Sequence, residues 1–311
     1  MGAVLLANEE YKKALIELNK AISIDPLDAS FRHTRAWALW RLKQTQQALD
    51  ELKFAINLSP DASLHDSLAT FLYMLGQYDE ALKVFSKAIS KAASAAEAAV
   101  YLRKRGATFL ALDQAPFALL DLNKAIEISP GDALNYKSRA EVYVTFGRLQ
   151  EAVDDSSKAL ESIKNDARLY KLRGQCFFDL NKLGPALDDA QAAIRLDEKY
   201  ADAHLLMGRV LLEDGQVSLA MQFFVTAFTF DQQCAQAYLS LALCFDLLDS
   251  RKEAHHYARK AASLDANLKK YTLESTRHTL ISERSRQRLQ SFSANVHNFD
   301  PELVEDMGHG L

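Results

Sequence analysis

The chain has 311 residues, 49% hydrophobic and 25% charged, with a formal net charge of −4 at pH 7 and a mean hydropathy of −0.17. That balance excludes a global electrostatic pull towards nucleic acid or anionic membrane, and no run of about 18 apolar residues is present to span a bilayer. Only 6 prolines and 11 glycines punctuate the chain, which favours long runs of helix.

The N-terminal stretch from Met1 to Ala14 has an apolar patch too short for a signal or a span, and Glu9 and Glu10 follow it directly. Cys176, Cys234 and Cys244 share no metal-ligand spacing, and one of them is left over in any pairing, so a reduced, cytoplasmic setting is expected. From Ala14 onward the chain repeats itself. One alanine column runs through Ala14, Ala48, Ala81, Ala118, Ala152, Ala186, Ala220 and Ala254, with steps of 34, 33, 37, 34, 34, 34 and 34. A second column stands seven residues further on: Ala21, Ala55, Ala88, Ala125, Ala159, Ala193, Ala227 and Ala261. Self-similarity at this period points to a stack of supersecondary units.

Each unit reads as a helical hairpin. Its first helix holds a small residue at a fixed place (Ala36, Ala69, Gly106, Ala140, Gly174, Gly208, Ala242), with apolar residues three and four positions away. Gly76, Gly147 and Gly215 stand where a first helix should end in a left-handed cap. Pro26, Pro60 and Pro130 fall between hairpins, Pro116 and Pro185 in the first turn of a second helix, and Pro301 in the tail. No proline interrupts a helix interior.

These columns resemble the tetratricopeptide repeat family, with its small residue at position 8, alanines at 20 and 27, and proline at 32. The resemblance covers residues 1 to about 268. It implies an all-α, right-handed α-solenoid of antiparallel helix pairs, wound into a superhelix whose inner wall is made by the first helix of each pair. The expected units are a partial repeat over 1–28 and full repeats at 29–61, 62–95, 99–132, 133–166, 167–200, 201–234 and 235–268. Three extra residues near Ser94–Glu97 should lengthen a helix or a loop, and proline is lost from position 32 at Lys164, Glu198, Gln232 and Ala266.

A charge pattern follows the repeat. Position 7 is Arg35, Arg105, Arg139 and Arg173, and in the same repeats position 23 is Glu51, Asp121, Asp155 and Asp189. Elsewhere position 7 is Leu68, Met207 or Leu241, and position 23 turns apolar with it as Val84, Phe223 and Tyr257. Direct contact across the hairpin is expected, ionic in four units and hydrophobic in three, with arginine suited to a half-buried carboxylate. The first unit has Glu17 at position 23 but Met1 where the arginine belongs, so the chain is expected to start inside a repeat.

No phosphate loop, serine elbow or H-E-x-x-H pair occurs, and the adjacent His255 and His256 have the wrong spacing for shared metal ligation. Neither enzyme activity nor a cofactor is expected. The resemblance implies instead that a partner segment is held on the inner wall, where positions 2, 5, 6, 9 and 13 face the groove. Trp37, Trp40 and Tyr73 are candidate anchors, or packing between hairpins. Arg103, Lys104, Lys137, Arg168 and Lys171 outnumber Glu141 and Asp179 there, so the candidate partner is a protein segment, extended or helical, with acidic and apolar residues. Nucleic acid is disfavoured because no stacking aromatics interleave the cations. The chaperone-type carboxylate clamp fails, since Lys137 is followed by Glu141 and Lys171 by Gln175.

Residues 269–292 are basic and helix-compatible, expected as a capping or docking helix, and 293–311 read as an acidic tail. The function these features imply is a protein–protein interaction scaffold that helps assemble a complex. The alternatives are a regulatory or targeting arm of a larger enzyme, or a chaperone co-factor without the usual clamp.

Overall fold

The computed structural model describes residues 2–270, and among them every regular element is helical. The expected helix over 269–292 and the acidic tail therefore lie almost wholly outside the described residues. The chain divides into two compact units, Met1–Phe146 and Gly147–Leu311.

The first unit contains α1 (Gly2–Ala7), α2 (Tyr11–Ile24), α3 (Ala29–Arg41), α4 (Thr45–Leu58), α5 (Ala62–Met74), α6 (Tyr78–Lys91), α7 (Ala95–Ala111), α8 (Ala115–Ile128) and α9 (Ala133–Thr145). Helices α1/α2, α3/α4, α5/α6 and α7/α8 pack as hairpins, and α9 closes the unit on α8 and α7. The second unit contains α10 (Leu149–Leu160), α11 (Ala167–Asp179), α12 (Leu183–Leu196), α13 (Ala201–Glu213), α14 (Val217–Phe230), α15 (Ala235–Leu247) and α16 (Arg251–Leu264), followed by a 3-10 turn, Ala266–Lys270. There α10 packs on α11, and α11/α12, α13/α14 and α15/α16 form hairpins. Within each unit, first helices of successive hairpins also touch one another: α5 with α7, α7 with α9, α11 with α13, α13 with α15.

The first alanine column is wholly buried in all eight places. In the second column only Ala21, in the short first hairpin, keeps partial exposure. Alanine is needed there because two helix axes 8–10 Å apart leave no room for longer side chains at the crossing. At Gly208 the approach is closer still: an added methyl would sit 2.5 Å from the ring of Phe224, itself fully buried.

The hairpin turns share one conformation. A single left-handed residue occurs at Glu9, Lys43, Gly76, Asp113, Gly147, Asn181, Gly215 and Asp249, each with φ between 57° and 88°. The next amide closes back five residues, as Gln44 N on Leu39 O and Gln77 N on Leu72 O at 2.9 Å, the longer bond of a Schellman cap. Sequence reading finds this cap only at the three glycines. Five other turns adopt it with residues for which it is unfavourable, because the hairpin packing on either side dictates the turn.

First helices begin at capping residues. Asp28, Asp61, Asp132 and Asp166 each accept a backbone amide of the first turn. The extra residues near Ser94–Glu97 become helix rather than loop. Helix α7 has 17 residues where α5 has 13, with Ser94 Oγ accepting from Glu97 N and the Glu97 carboxylate accepting from Ala93 N.

Two substitutions test this packing by urea unfolding. Gly208→Ala should destabilise the chain by about 1–3 kcal/mol, because the buried Phe224 ring has nowhere to go. Lys43→Gly, at an exposed left-handed position, should stabilise it by up to about 1 kcal/mol.

Candidate functional site

Position 7 of the first helix proves to be a junction of three helices. The Arg105 guanidinium grips Asp121 with two parallel bonds of 2.7 Å, and Arg173 grips Asp189 at 2.7 and 2.8 Å. Arg35 pairs with Glu51. These pairs are largely desolvated; Arg173 keeps 20% of its side-chain exposure and Asp189 only 6%. The bonds to Asp189 raise the Arg173 pKa, against the opposing effect of burial. The fourth expected pair, Arg139 with Asp155, would join residues of different units and remains an expectation.

Each arginine also reaches backward with its remaining nitrogen. Arg35 Nη1 donates to Asn19 Oδ1 at 2.9 Å, Arg105 to Ser86 Oγ at 2.9 Å, Arg139 to Asn123 Oδ1 at 2.8 Å, and Arg173 to Ser157 Oγ at 3.0 Å. The acceptor stands on the second helix of the preceding hairpin. One guanidinium thus ties its own hairpin together and ties it to its neighbour. The sequence reading missed the second tie, although a signal was there. Before Leu68 and Leu241 the acceptor position is Leu52 or Val225, both buried, and only Gln191, before Met207, breaks the rule. Leu68 and Val84 share one apolar cluster; Met207, Phe223, Leu241 and Tyr257 share another.

The aromatic candidates pack as well as present. Trp40 stacks on the buried Phe71 (centroids 4.1 Å, 18°), Trp37 meets the same ring edge-on at 4.7 Å, and Tyr73 leans on Tyr78 at 5.4 Å. All three remain partly exposed. Burial raises the Tyr73 pKa. Trp37 Nε1 donates to His33 Nε2 at 3.2 Å, and that nitrogen lies 2.7 Å from Ser67 Oγ. Burial lowers the His33 pKa, outweighing the charges of Asp61 and Asp66. The neutral imidazole can accept from the indole.

The basic candidates are divided between the two units. Arg103, Lys104 and Lys137 belong to the first unit, Arg168 and Lys171 to the second. Lys104 is neutralised by Asp66 at 2.7 Å, and Lys171 lies 3.6 Å from Asp202. The sequence count of groove acids had left out both aspartates, which come from neighbouring first helices. Arg168 is exposed. Arg103 differs: its Nε is buried without a hydrogen-bond partner among the described residues, and so is the Thr70 hydroxyl on α5. Both stand at inner-wall positions of neighbouring first helices.

The three cysteines are free, and burial pushes the Cys176 thiol up to about 11 and raises Cys234 and Cys244. Among the described residues, no group of three or more His, Cys, Asp or Glu could hold a metal ion, and no helix is long and apolar enough to cross a membrane.

Two outcomes follow. Arg173→Leu should cost about 3 kcal/mol of stability by stranding the Asp189 carboxylate, and Arg173→Leu with Asp189→Val should recover much of it. Because the folded-state pKa of His33 is lowered, its contribution is complete above about pH 6.5, the ordinary histidine value, and is lost as pH falls through the folded value. Trp37 emission should therefore hold steady from pH 8 to about 6.5 and change below it. His33→Gln should abolish that change, and a transition centred above pH 6.5 would contradict the assignment.

Comparison with known proteins agrees with this geometry. A family model for the tetratricopeptide repeat matches residues 33–98. No curated protein sequence matches the chain. Among solved structures, a chain of the APC/C hetero-tetramer Cut9–Hcn1 aligns at TM-score 0.66 and 16% identity, over 78% of this chain and 48% of that one. A tetratricopeptide repeat protein from Parabacteroides merdae aligns at 0.60 and 18%, over 78% and 96%. Pseudomonas aeruginosa pilF aligns at 0.59 and 17%, over 70% and 96%. These likenesses are of fold. The matched model marks tetratricopeptide repeat sequence at residues 33–98, and the solved structures show that the chain has the helical-repeat fold of such proteins.

Proposed function

We propose that the chain is a protein-interaction scaffold that holds a partner segment on the first-helix face of its first unit and so helps assemble a complex. Arg103 carries the reading. A guanidinium nitrogen and a neighbouring-helix hydroxyl, buried without hydrogen-bond partners among the described residues, are costly to leave unsatisfied. The Arg103 side chain itself is part-exposed, so a partner segment bearing a carboxylate can pair with its accessible edge and draw the guanidinium towards the groove. Trp37, part-exposed and held by Phe71 and His33, offers an apolar contact on the same set of first helices. The proposed repeats of this scaffold are 29–61, 62–95, 99–132, 133–166, 167–200, 201–234 and 235–268, in a cytoplasmic setting.

Affinity purification with cross-linking mass spectrometry identifies the partner, and cross-links should fall on α3, α5 and α7. With that partner, Arg103→Ala should weaken binding about tenfold or more, as expected for a charge-assisted contact, and leave the unfolding transition in place. Trp37→Ala should reduce both binding and stability, since its ring also packs on Phe71. Association should slow as salt rises. An unchanged affinity in Arg103→Ala would remove this site from the scaffold.

A further inference from the structure

The exposed face of α16 breaks a pattern that runs through the earlier second helices. In α4, α6, α8, α10, α12 and α14 the place of His255 holds Leu49, Leu82, Leu119, Val153, Leu187 and Met221, all partly or wholly buried. Leu187 and Met221 share an apolar cluster with Leu206 and Leu241 of the following first helices. In α16 that column reads Arg251, His255 and Arg259, and the column beside it Lys252, His256 and Lys260. All six are exposed, while Ala254 and Ala261, on the opposite side, are wholly buried. A helix turns about 100° per residue, so the six cover about half its circumference. Glu253, the single acid of α16, is half-buried at the edge of that arc.

Stability does not account for this choice. A hairpin at the end of a stack needs a hydrated face, and charges of mixed sign hydrate one equally well. Like charges one turn apart repel, and Arg251 and Lys252 stand in the first turn, the end of a helix that disfavours cations. Exposed cations on other second helices have carboxylates at hand, as Lys20 with Glu17 at 2.8 Å and Lys158 with Glu161 at 2.6 Å. On α16, Arg251 reaches Asp249 at 3.5 Å, with both side chains more than 80% exposed, an arrangement worth little in water. Among the described residues, Lys252, Arg259 and Lys260 have no carboxylate within ion-pair reach. Lys260 instead lies 5.9 Å over the ring of Tyr238.

We infer that this face of α16 is a docking surface for an acidic helical segment of a partner protein, separate from the first-helix face of the first unit and not dependent on it. Arg251, His255 and Arg259 stand one turn apart, about 6 Å each, and so do Lys252, His256 and Lys260. Carboxylates on successive turns of a second helix repeat at the same distance. An acidic helix of about three turns therefore matches both columns, and its charges relieve the repulsion along α16. A bilayer or a nucleic-acid duplex extends far beyond one helix. The whole chain, at a net charge of −4 even with these cations counted, repels such a surface. A short acidic segment meets the cations alone.

The probe is a fluorescein-labelled helical peptide with glutamate on every turn, titrated against the full chain by fluorescence anisotropy, with its glutamine counterpart as control. The glutamate peptide should bind, more weakly as salt rises, and the glutamine peptide should not. Arg251→Gln/Lys252→Gln/Arg259→Gln/Lys260→Gln should weaken binding at least about tenfold. The unfolding transition should stay in place, because all four side chains are exposed. Arg103→Ala should leave this affinity unchanged, which keeps the α16 face apart from the site on α7. Carbodiimide coupling, which joins a carboxylate to an amine, should map to Lys252 and Lys260. Coupling to other lysines only, or equal affinity in the quadruple variant, overturns the inference. Tighter binding of duplex DNA or of phosphatidylserine vesicles to the same face overturns the choice of a protein segment. Binding that appears only after Asp300→Asn/Glu302→Gln/Glu305→Gln/Asp306→Asn would give the face to the chain's own acids and equally overturn a separate partner.

Discussion

Two helices lie close along their whole length only if neither presents more than a methyl group where they cross. The wholly buried alanines from Ala14 to Ala254 meet that condition in every hairpin, and the left-handed turn before each second helix follows from it. With the crossing distance set, the two helices leave the turn at one angle, and the residue between them has to take φ near 60° whatever its side chain. Lys43 and Asn181 accept the same turn as Gly76 for this reason.

Repetition needs a second contact, between hairpins. A backbone crossing supplies none of its own specificity along the stack, because apolar faces slide over one another at little cost. The position-7 arginines supply a directional tie. Arg173 holds Asp189 in its own hairpin and Ser157 in the preceding one, so the two hairpins share a register. Where Leu68 or Leu241 replaces arginine, Leu52 and Val225 replace the hydrogen-bond acceptor. The register is then kept by apolar packing between the same three helices.

Because the hairpin interior and the hairpin junction use positions 7, 8, 20, 23 and 27, the remaining face of the first helix carries fewer structural contacts, such as that of Trp37 with Phe71. Its side chains vary from unit to unit. In the first unit it carries Trp37, Thr70 and Arg103; in the second it carries Leu205, Leu239 and Leu243.

The alanine period of 34 by itself determined the helices, the hairpins and the pairing of Arg35, Arg105 and Arg173 with their carboxylates, because each is a consequence of spacing within one chain segment. Even so, it showed the left-handed turn only where glycine marks it. Tertiary structure alone decided which groove cations stay available. Lys104 is hydrogen-bonded by Asp66 and Lys171 lies near Asp202, side chains contributed by adjacent hairpins 38 and 31 residues away in the chain. It also decided the backward bonds to Asn19, Ser86, Asn123 and Ser157. Helical periodicity reports which face of a helix is apolar; whether a charge is neutralised or a leucine covered depends on what another part of the chain brings against it.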